Sequence, residues 1–184
     1  MILFMQSNNR RILKNVRYLY IRMFITMWLT LYMSRMLLKV LGVGDYGVLS
    51  VVGSIGGIFS FMNYSFGVAT ERHIAAAIAL KDKDNLKQVF TSCVNSHLII
   101  ASIVALGLLS FGLWMMNNKI VIPEGRRFAA YVIFFTSVVG SVIAIVSSPF
   151  HACIIAYERM SFYAFTGVAS TLWKLIVIIG MYAI

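Results

Sequence analysis

The chain is poor in acidic residues and in charge of any kind. Only six of its 184 residues are Asp or Glu, against sixteen Lys or Arg, and charged residues make up 12% of the total. Soluble domains average about 25% charged residues, so this composition excludes an ordinary soluble domain. The net charge of +10 does not indicate nucleic-acid binding, because the basic residues lie mainly at the ends of apolar runs and form no solvated patch.

Cysteine and recognisable catalytic motifs are also scarce. Cys93 and Cys153 lie in separate apolar segments, without CxxC or zinc-ligand spacing, which excludes a disulfide framework. No GxSxG, P-loop or HExxH motif occurs, so we predict that the protein is not an enzyme and has no cofactor. His73, His97 and His151 share no metal-ligand spacing. We therefore predict no metal site and interpret the three histidines as polar residues at helix ends.

The chain is rich in long apolar runs. Hydrophobic residues make up 60% of it, and its mean hydropathy is +0.86. Runs longer than about 18 residues predict membrane-spanning helices. We predict an all-α integral membrane protein, a bundle of about five transmembrane helices. A basic cytoplasmic segment, 1–17, precedes a transmembrane region, 18–184, whose spans are 18–40, 46–69, 89–116, 128–150 and 161–184.

The distribution of basic residues predicts the orientation in the membrane. Cytoplasmic loops carry an excess of Lys and Arg, and the larger of the two basic sets therefore marks the cytoplasmic side. This rule places the N-terminus in the cytoplasm and the linkers around Asp45 and Gly125 outside. The cytoplasmic set has ten residues and the external set three, with Lys39 near the external side; the ten are Arg10, Arg11, Lys14, Arg17, Arg22, Arg72, Lys81, Lys83, Lys87 and Arg159, and the three are Lys119, Arg126 and Arg127.

Two cations in the first span are the sharpest functional clue. Trp28, Tyr32, Arg35 and Lys39 are spaced by four, three and four residues and therefore share one helical stripe. Basic residues within hydrocarbon are costly and usually line an internal path or reach an interface. The stripe predicts a binding path for an anionic substrate; alternatively, Lys39 snorkels outward and Arg35 pairs with a carbonyl group. Lys174, near the middle of the fifth span, is a third candidate substrate-binding residue.

Small and polar residues in the second span predict helix packing. Gly53 and Gly57 form a Gly-xxx-Gly pattern that continues to Ser60, and this face is expected to meet another helix closely. A substrate-facing or hinge role is the alternative. Asn63 is interpreted as an interhelical hydrogen-bond donor.

Several polar residues near the predicted membrane boundaries are expected to have structural roles. Asp82 or Asp84 is predicted to cap the third helix, and Arg22 to snorkel to the cytoplasmic boundary. The third span is longer than a bilayer requires, so its polar start is expected near the headgroups: Thr91, Ser92, Asn95 and Ser96. Four charged residues at cytoplasmic helix ends are predicted to form ion pairs or gating contacts: Glu71 with Arg72, and Glu158 with Arg159.

Several stretches resemble a known family of membrane transporters. Residues 149–160 fit the pattern P-x-x-A-x-I-I-A-x-E-x-M, and residues 122–126, Ile-Pro-Glu-Gly-Arg, resemble the external loop of the same proteins. Residues 41–47 and 69–72 are similar as well, in the same order along the chain. The sequence thus resembles bacterial polysaccharide and O-antigen flippases of the multidrug/oligosaccharidyl-lipid/polysaccharide exporter superfamily. Glu71 departs from the pattern, in which Gln is expected.

The resemblance implies a fold and a function. The family has about twelve to fourteen spans in two lobes, so this chain would be a partial N-terminal lobe whose partner is the C-terminal lobe of the same protein. Its last residues, 180–184, are still apolar, and we therefore expect a truncated protein or gene model. The implied function is export of undecaprenyl-pyrophosphate-linked oligosaccharide across the bacterial inner membrane for O-antigen, lipopolysaccharide or other surface polysaccharide.

Two alternatives remain open at this point. A cation-coupled multidrug antiporter of the same superfamily would need a carboxylate deep in a span, and none of the predicted spans contains Asp or Glu. A truncated, non-transporting membrane protein is the other alternative. The cargo and the lipid bilayer are the expected partners, and nucleic acid is not.

Overall fold

Five helices make up nearly all of the chain, as the sequence predicts. The structure, a computed structural model, describes residues 2–57, 60–122 and 125–183, with side chains from residue 13 onward except 14, 60–62, 182 and 183. Within these ranges there is no β-strand. The helices are α1 (Ile2–Gly57), α2 (Ser60–Ala79), α3 (Lys83–Asn118), α4 (Arg127–Ala156) and α5 (Met160–Ala183).

Four helices are long and apolar enough to cross a membrane, which supports the prediction of an integral membrane protein. They are Asn15–Gly57 within α1, Lys83–Asn118, Arg127–Ala156 and Met160–Met181. α2 is not among them: the predicted span 46–69 is divided between the end of α1 and the start of α2, and residues 58 and 59 lie outside the described residues. Large apolar side chains such as Leu106 (69% exposed) and Trp173 (68%) cover the outer faces, as expected for helices solvated by lipid.

A glycine interrupts α1 between its first and second parts. Gly42 has φ 73° and ψ 170°, a backbone conformation that is not helical and that residues with a Cβ rarely adopt. An uninterrupted helix over Asn15–Gly57 would be about 65 Å long, roughly twice the thickness of a hydrocarbon core. Gly42 therefore separates the first predicted span from the second, within the turn predicted for the external side.

The chain divides into two compact units at this point. The first unit comprises residues 1–42 and 157–184, and the second comprises residues 43–156. The main hydrophobic core lies in the second unit, between the part of α1 that follows Gly42, α3 and α4. Its buried members are Val52, Ile55, Ala101, Val104, Leu108, Met116, Ala130, Phe134, Val138 and Ile145.

The core residues of α3 follow the helical repeat. The buried positions are 97, 101, 104, 108, 112 and 116, spaced by three or four residues along one face. Gly112 belongs to this stripe because the ring of Phe134 from α4 occupies the space where a Cβ would lie. The fully buried Phe134 is therefore seated against the α3 backbone.

Glycine and serine bring the second part of α1 close to α4, but through a different glycine pair from the one predicted. A Cβ on Gly56 would lie 3.2 Å from both the Cβ and the carbonyl oxygen of Ser137, whereas Gly57 is exposed and has nothing within 4 Å. Ser141 Oγ also lies 3.1 Å from the carbonyl oxygen of Gly56 and 2.9 Å from that of Ser137, so its one proton is shared between the two acceptors. The predicted packing role of Gly57 is thus wrong, because this residue lies past the contact face; Gly53 and Gly56 lie on it. The side chain of Ser60 is outside the described residues.

Replacing Gly56 by Leu should disrupt this helix contact, and replacing Gly57 by Leu should not. The side chain added at position 56 would meet the Cβ and the carbonyl oxygen of Ser137, so α4 would have to move away from α1 and lose this close contact. We expect Gly56→Leu to lower the melting temperature of the purified protein and its amount in the membrane. Gly57→Leu is the matched control, since it adds the same side chain one position along; equal losses in both variants would contradict the packing.

The polar ends of α3 and α4 are held by local interactions. The predicted cap is confirmed: Asp82 Oδ1 accepts hydrogen bonds from the backbone N–H groups of Asp84 (3.0 Å) and Asn85 (3.3 Å). At the other end, Arg126 Nη2 lies 2.9 Å from Asp45 Oδ2. This ion pair joins the two linkers that the charge distribution assigns to the external side. The 36 residues of α3 separate that side from Lys83 by about 54 Å.

The ion pair and the length of α3 lead to a topology test. Reporter fusions at Asp45 and Gly125 should give the same, external signal, and a fusion at Lys83 should give a cytoplasmic one. Alkaline phosphatase and green fluorescent protein fusions would measure the two sides. A cytoplasmic signal at Gly125 would contradict the predicted orientation, and opposite signals at Asp45 and Gly125 would contradict the fold.

Candidate functional site: a cationic group and a polar cavity

The cations of the first span line one concave surface on α1. Tyr32, Arg35, Met36 and Lys39 surround a space of about 390 Å³. Three of these residues belong to the stripe predicted from the sequence, and Met36 completes the lining between the two cations; Trp28, the fourth member of the stripe, does not line the space. Among the described residues no acidic side chain lines this space, so both positive charges are available to a ligand. Tyr32 adds a hydroxyl group that can donate to an anionic oxygen.

The α1 side chains around this group are exposed rather than buried. Arg35 and Lys39 are exposed, and Trp28, one turn before Tyr32, is 70% exposed. The nearby hydroxyl groups are satisfied by their own helix: Thr30 Oγ1 donates to the Thr26 carbonyl oxygen (2.7 Å), and Ser34 Oγ donates to the Thr30 carbonyl oxygen. Arg35 and Lys39 are thus the polar groups on this face that would gain most from an ion pair with a bound anion.

Lys174 does not belong to the α1 group. It lies on α5, in the same unit, and is exposed, but it does not line the space around Arg35 and Lys39. The third predicted substrate-binding cation is therefore separate from the other two within the described residues.

Arg22 makes a specific contact that the sequence does not reveal. Its guanidinium carbon lies 4.2 Å above the ring of Tyr163 on α5, and its side chain fills the space that a Cβ on Gly167 would need. All three residues belong to the first unit. Stacking of this kind stabilises a guanidinium group by roughly 0.5–2 kcal/mol. Arg22 is thus a structural contact between α1 and α5 rather than a freely snorkelling residue.

The four predicted helix-end charges lie in different surroundings. Glu71 is half-buried on α2, and burial raises the pKa of its carboxyl group with no cation close enough to lower it. The adjacent Arg72 is exposed and does not compensate it. Glu158 lies between α4 and α5 in a left-handed conformation (φ 54°), and Arg159 follows it. The gating role proposed for these residues stays a prediction.

The raised pKa predicts that Glu71→Gln stabilises the protein near neutral pH. Because the folded state holds the proton more tightly than the unfolded state, the carboxylate destabilises the fold above the folded pKa. This cost disappears as the pH falls below the ordinary value of 4.5. The gain in melting temperature of Glu71→Gln over the wild type should therefore be larger at about pH 7.5 than at about pH 4.5.

Asp84→Asn is the control for this measurement. It removes an exposed carboxylate from the first turn of α3, where a negative charge is favourable, so no gain is expected at neutral pH. A Glu71→Gln gain that is absent, or equal at the two pH values, would contradict the burial of an uncompensated carboxyl group.

A second site, which sequence reasoning missed, lies between α2 and α3. It is a cavity of about 550 Å³ in the second unit, and most of its lining residues are polar, but none is Lys, Arg, Asp or Glu. The polar start of α3, predicted to lie near the headgroups, contributes Ser92 and Ser96 to it. The lining residues are Phe66, Ala69, Thr70, His73, Asn85, Gln88, Val89, Ser92, Cys93, Ser96, His97 and Ile100.

His97 is the most constrained residue of this cavity. It is only 2% exposed and lies in the interior of α3, so its interpretation as a helix-end residue is wrong. Its Nδ1 lies 2.9 Å from the carbonyl oxygen of Cys93, while its buried Nε2 has no hydrogen-bond partner within the described residues. The sequence does not show which side of the helix a single histidine within an apolar run faces. The structure is therefore needed to place His97 in the lining of the cavity.

No known protein-family model, curated protein or solved structure matches the chain.

Proposed function

We propose that the chain is part of an exporter that moves lipid-linked oligosaccharide from the inner to the outer leaflet of the bacterial cytoplasmic membrane. The cargo would be an undecaprenyl-pyrophosphate-linked glycan destined for O-antigen, lipopolysaccharide or another surface polysaccharide, and the N-terminus would lie in the cytoplasm. The proposal combines the sequence resemblance with the geometry of the α1 cations.

The observation that carries the proposal is the arrangement of Arg35 and Lys39. They lie one helical turn apart on a helix long and apolar enough to span a membrane, around a concave space that no acidic residue lines. A single basic residue in hydrocarbon costs roughly 2.5–3.5 kcal/mol on insertion scales. Two on one face are therefore expensive unless they bind an anion, and a pyrophosphate supplies enough charge for both.

The chemistry of the group favours phosphate oxygens over other cargo. Arg35 presents a planar guanidinium that can bind two phosphate oxygens at once, and Lys39 adds a compact point charge. The positive charges would repel a cationic drug or coupling ion. The membrane-spanning helices contain no Asp or Glu over residues 18–40, 89–116, 128–150 and 161–181 to attract one. A cation-coupled antiporter is thus less well supported.

Binding of a pyrophosphate lipid tests the proposal directly. The chain would be placed in lipid nanodiscs with Trp114 and Trp173 changed to Phe, so that fluorescence reports Trp28 beside the cationic group. Undecaprenyl pyrophosphate should change this fluorescence at lower concentration than undecaprenol, which has no charge. Arg35→Ala should weaken binding about tenfold or more, because it removes a charge-assisted hydrogen bond.

Two variants separate charge from shape in this experiment. Arg35→Lys keeps the charge but loses the planar fork, so a smaller loss is expected. Arg72→Ala removes an exposed cation of α2, outside the group, and should bind like the wild type. Equal binding of undecaprenol and undecaprenyl pyrophosphate, or unchanged binding by Arg35→Ala, would overturn the proposal.

The same residues can be tested in the cell that encodes the chain. Chromosomal Arg35→Ala should reduce surface glycan at matched protein abundance. Lys174→Ala tests whether the separate cation on α5 also contributes, and a normal glycan level in this variant would remove Lys174 from the site. Normal export in Arg35→Ala would leave the α1 cations without the proposed role.

A further inference from the structure

The cavity between α2 and α3 has a chemistry different from that of the α1 cations. Its lining carries hydroxyl, amide, thiol and imidazole groups but no charged side chain. At about 550 Å³ it falls within the usual range of small-molecule sites, roughly 300–1,000 Å³. It is also many times larger than the ~30 Å³ share of one water molecule. The cavity is therefore large enough for an uncharged organic group.

His97 fixes the hydrogen-bond polarity of this cavity. A carbonyl oxygen only accepts hydrogen bonds, so Nδ1 must carry the proton that it shares with the Cys93 carbonyl. In a neutral imidazole ring the other nitrogen, Nε2, is then an acceptor with a free lone pair. This atom is buried and has no partner among the described residues, so a ligand that donates a hydrogen bond would satisfy it once the ring turns toward the cavity. Carboxylate oxygens do not donate, whereas alcohols do; inorganic phosphate keeps a P–OH group near neutral pH, but it also brings a negative charge that this uncharged cavity does not compensate.

The rest of the lining suits a ligand with several hydroxyl groups. Asn85 and Gln88 each offer a carbonyl and an amino group, and Ser92 and Ser96 each offer a hydroxyl on the same side of α3. The exposed Phe66 ring supplies an apolar surface against which the C–H face of a sugar ring can pack.

The depth of the cavity also favours a polar occupant. His97 lies about 15 Å along the helix axis from Lys87, so the cavity reaches past the predicted cytoplasmic boundary into the apolar span. At that depth Ser96 Oγ donates to the carbonyl oxygen of Ser92 (2.9 Å), and its lone pairs can still accept a hydrogen bond from a polar occupant.

We infer that this cavity is a saccharide-binding site in which His97 Nε2 accepts a hydrogen bond from a sugar hydroxyl group. The hydrogen-bond polarity and the absence of charge identify an uncharged, polyhydroxylated ligand. Its assignment to the glycan part of the cargo rests on the proposed function. The binding chemistry itself does not, because the cavity belongs to the second unit and uses none of the α1 cations.

Protection of Cys93 from alkylation tests this site without a transport assay. Cys93 lines the cavity and Cys153 does not, so Cys153→Ser leaves one reporter thiol. The variant would be placed in nanodiscs, to avoid sugar-based detergents, and the rate of maleimide modification measured with N-acetylglucosamine, N,N′-diacetylchitobiose or inorganic phosphate. We expect the saccharides to slow modification in a saturable manner and inorganic phosphate to have no effect.

Substitutions at His97 should alter the protection specifically. His97→Leu removes the acceptor and should raise the apparent Kd for the saccharide about tenfold, or abolish protection. His97→Gln keeps a hydrogen-bonding group at this position and should retain most of it. Ser102→Ala, on α3 outside the cavity, is the control. The modification rate without ligand reports whether each variant keeps the cavity intact.

Each outcome decides the inference. Absence of saccharide protection, or equal protection in His97→Leu and the wild type with unchanged rates in the absence of ligand, would overturn it. Protection by inorganic phosphate but not by saccharides would show an anion site and overturn it as well. Saccharide protection together with failure of undecaprenyl pyrophosphate to use Arg35 would leave the saccharide site standing and remove the proposed lipid-linked cargo.

Discussion

The constraint on which the structure depends is the cost of an unpaired polar group in hydrocarbon. It explains the helices, which satisfy their own backbone groups, and it also governs the side chains. Hydroxyl groups along the spans donate to carbonyl oxygens three or four residues earlier, as in Ser102 to Leu98. Against this background the exceptions are informative: Arg35 and Lys39 on α1, and the buried Nε2 of His97. The buried Oδ1 atom of Asn63 likewise has no partner within the described residues. From the sequence, the Asn63 side chain is interpreted as an interhelical hydrogen-bond donor.

Packing in the second unit depends on close approach between helix backbones. Lipid is as apolar as a leucine side chain, so burial of apolar surface does little to drive spanning helices together. Close backbone approach replaces it: Gly56 lets α4 come near enough for Ser141 to donate to a carbonyl oxygen of α1, and Gly112 admits the ring of Phe134. These contacts fix the rotation of α3 and α4. That rotation in turn places the polar side of α3 against α2, where the uncharged cavity forms.

Hydropathy predicted an all-helical chain and the positions of α3, α4 and α5, because span length is a one-dimensional property of the sequence, but the predicted second span 46–69 is divided between α1 and α2. It did not predict which side of each helix meets a neighbour. Gly56 and Gly57 are neighbouring residues of the same type, so the sequence does not show which of them faces α4. The rotation of the helix about its axis decides which one is packed and which one is exposed. The α1 stripe was predictable because all its members lie on a single helix with regular spacing. The cavity at His97 was not, since its lining comes from two helices and its central residue is one polar side chain in an apolar run.

The two sites have complementary chemistry, which bears on what a single cargo must contain. The α1 group offers positive charge and donors, and therefore selects a ligand that accepts hydrogen bonds and carries negative charge. The α2–α3 cavity has no charged lining residue and a buried acceptor beside it, and the ligand inferred for it is therefore neutral and donates hydrogen bonds. A fatty acid or a simple phosphate satisfies only the first site, and a free sugar only the second. The lipid-linked oligosaccharide proposed as cargo contains both a pyrophosphate and a hydroxylated glycan, and it therefore has a chemical partner for each of these two candidate sites.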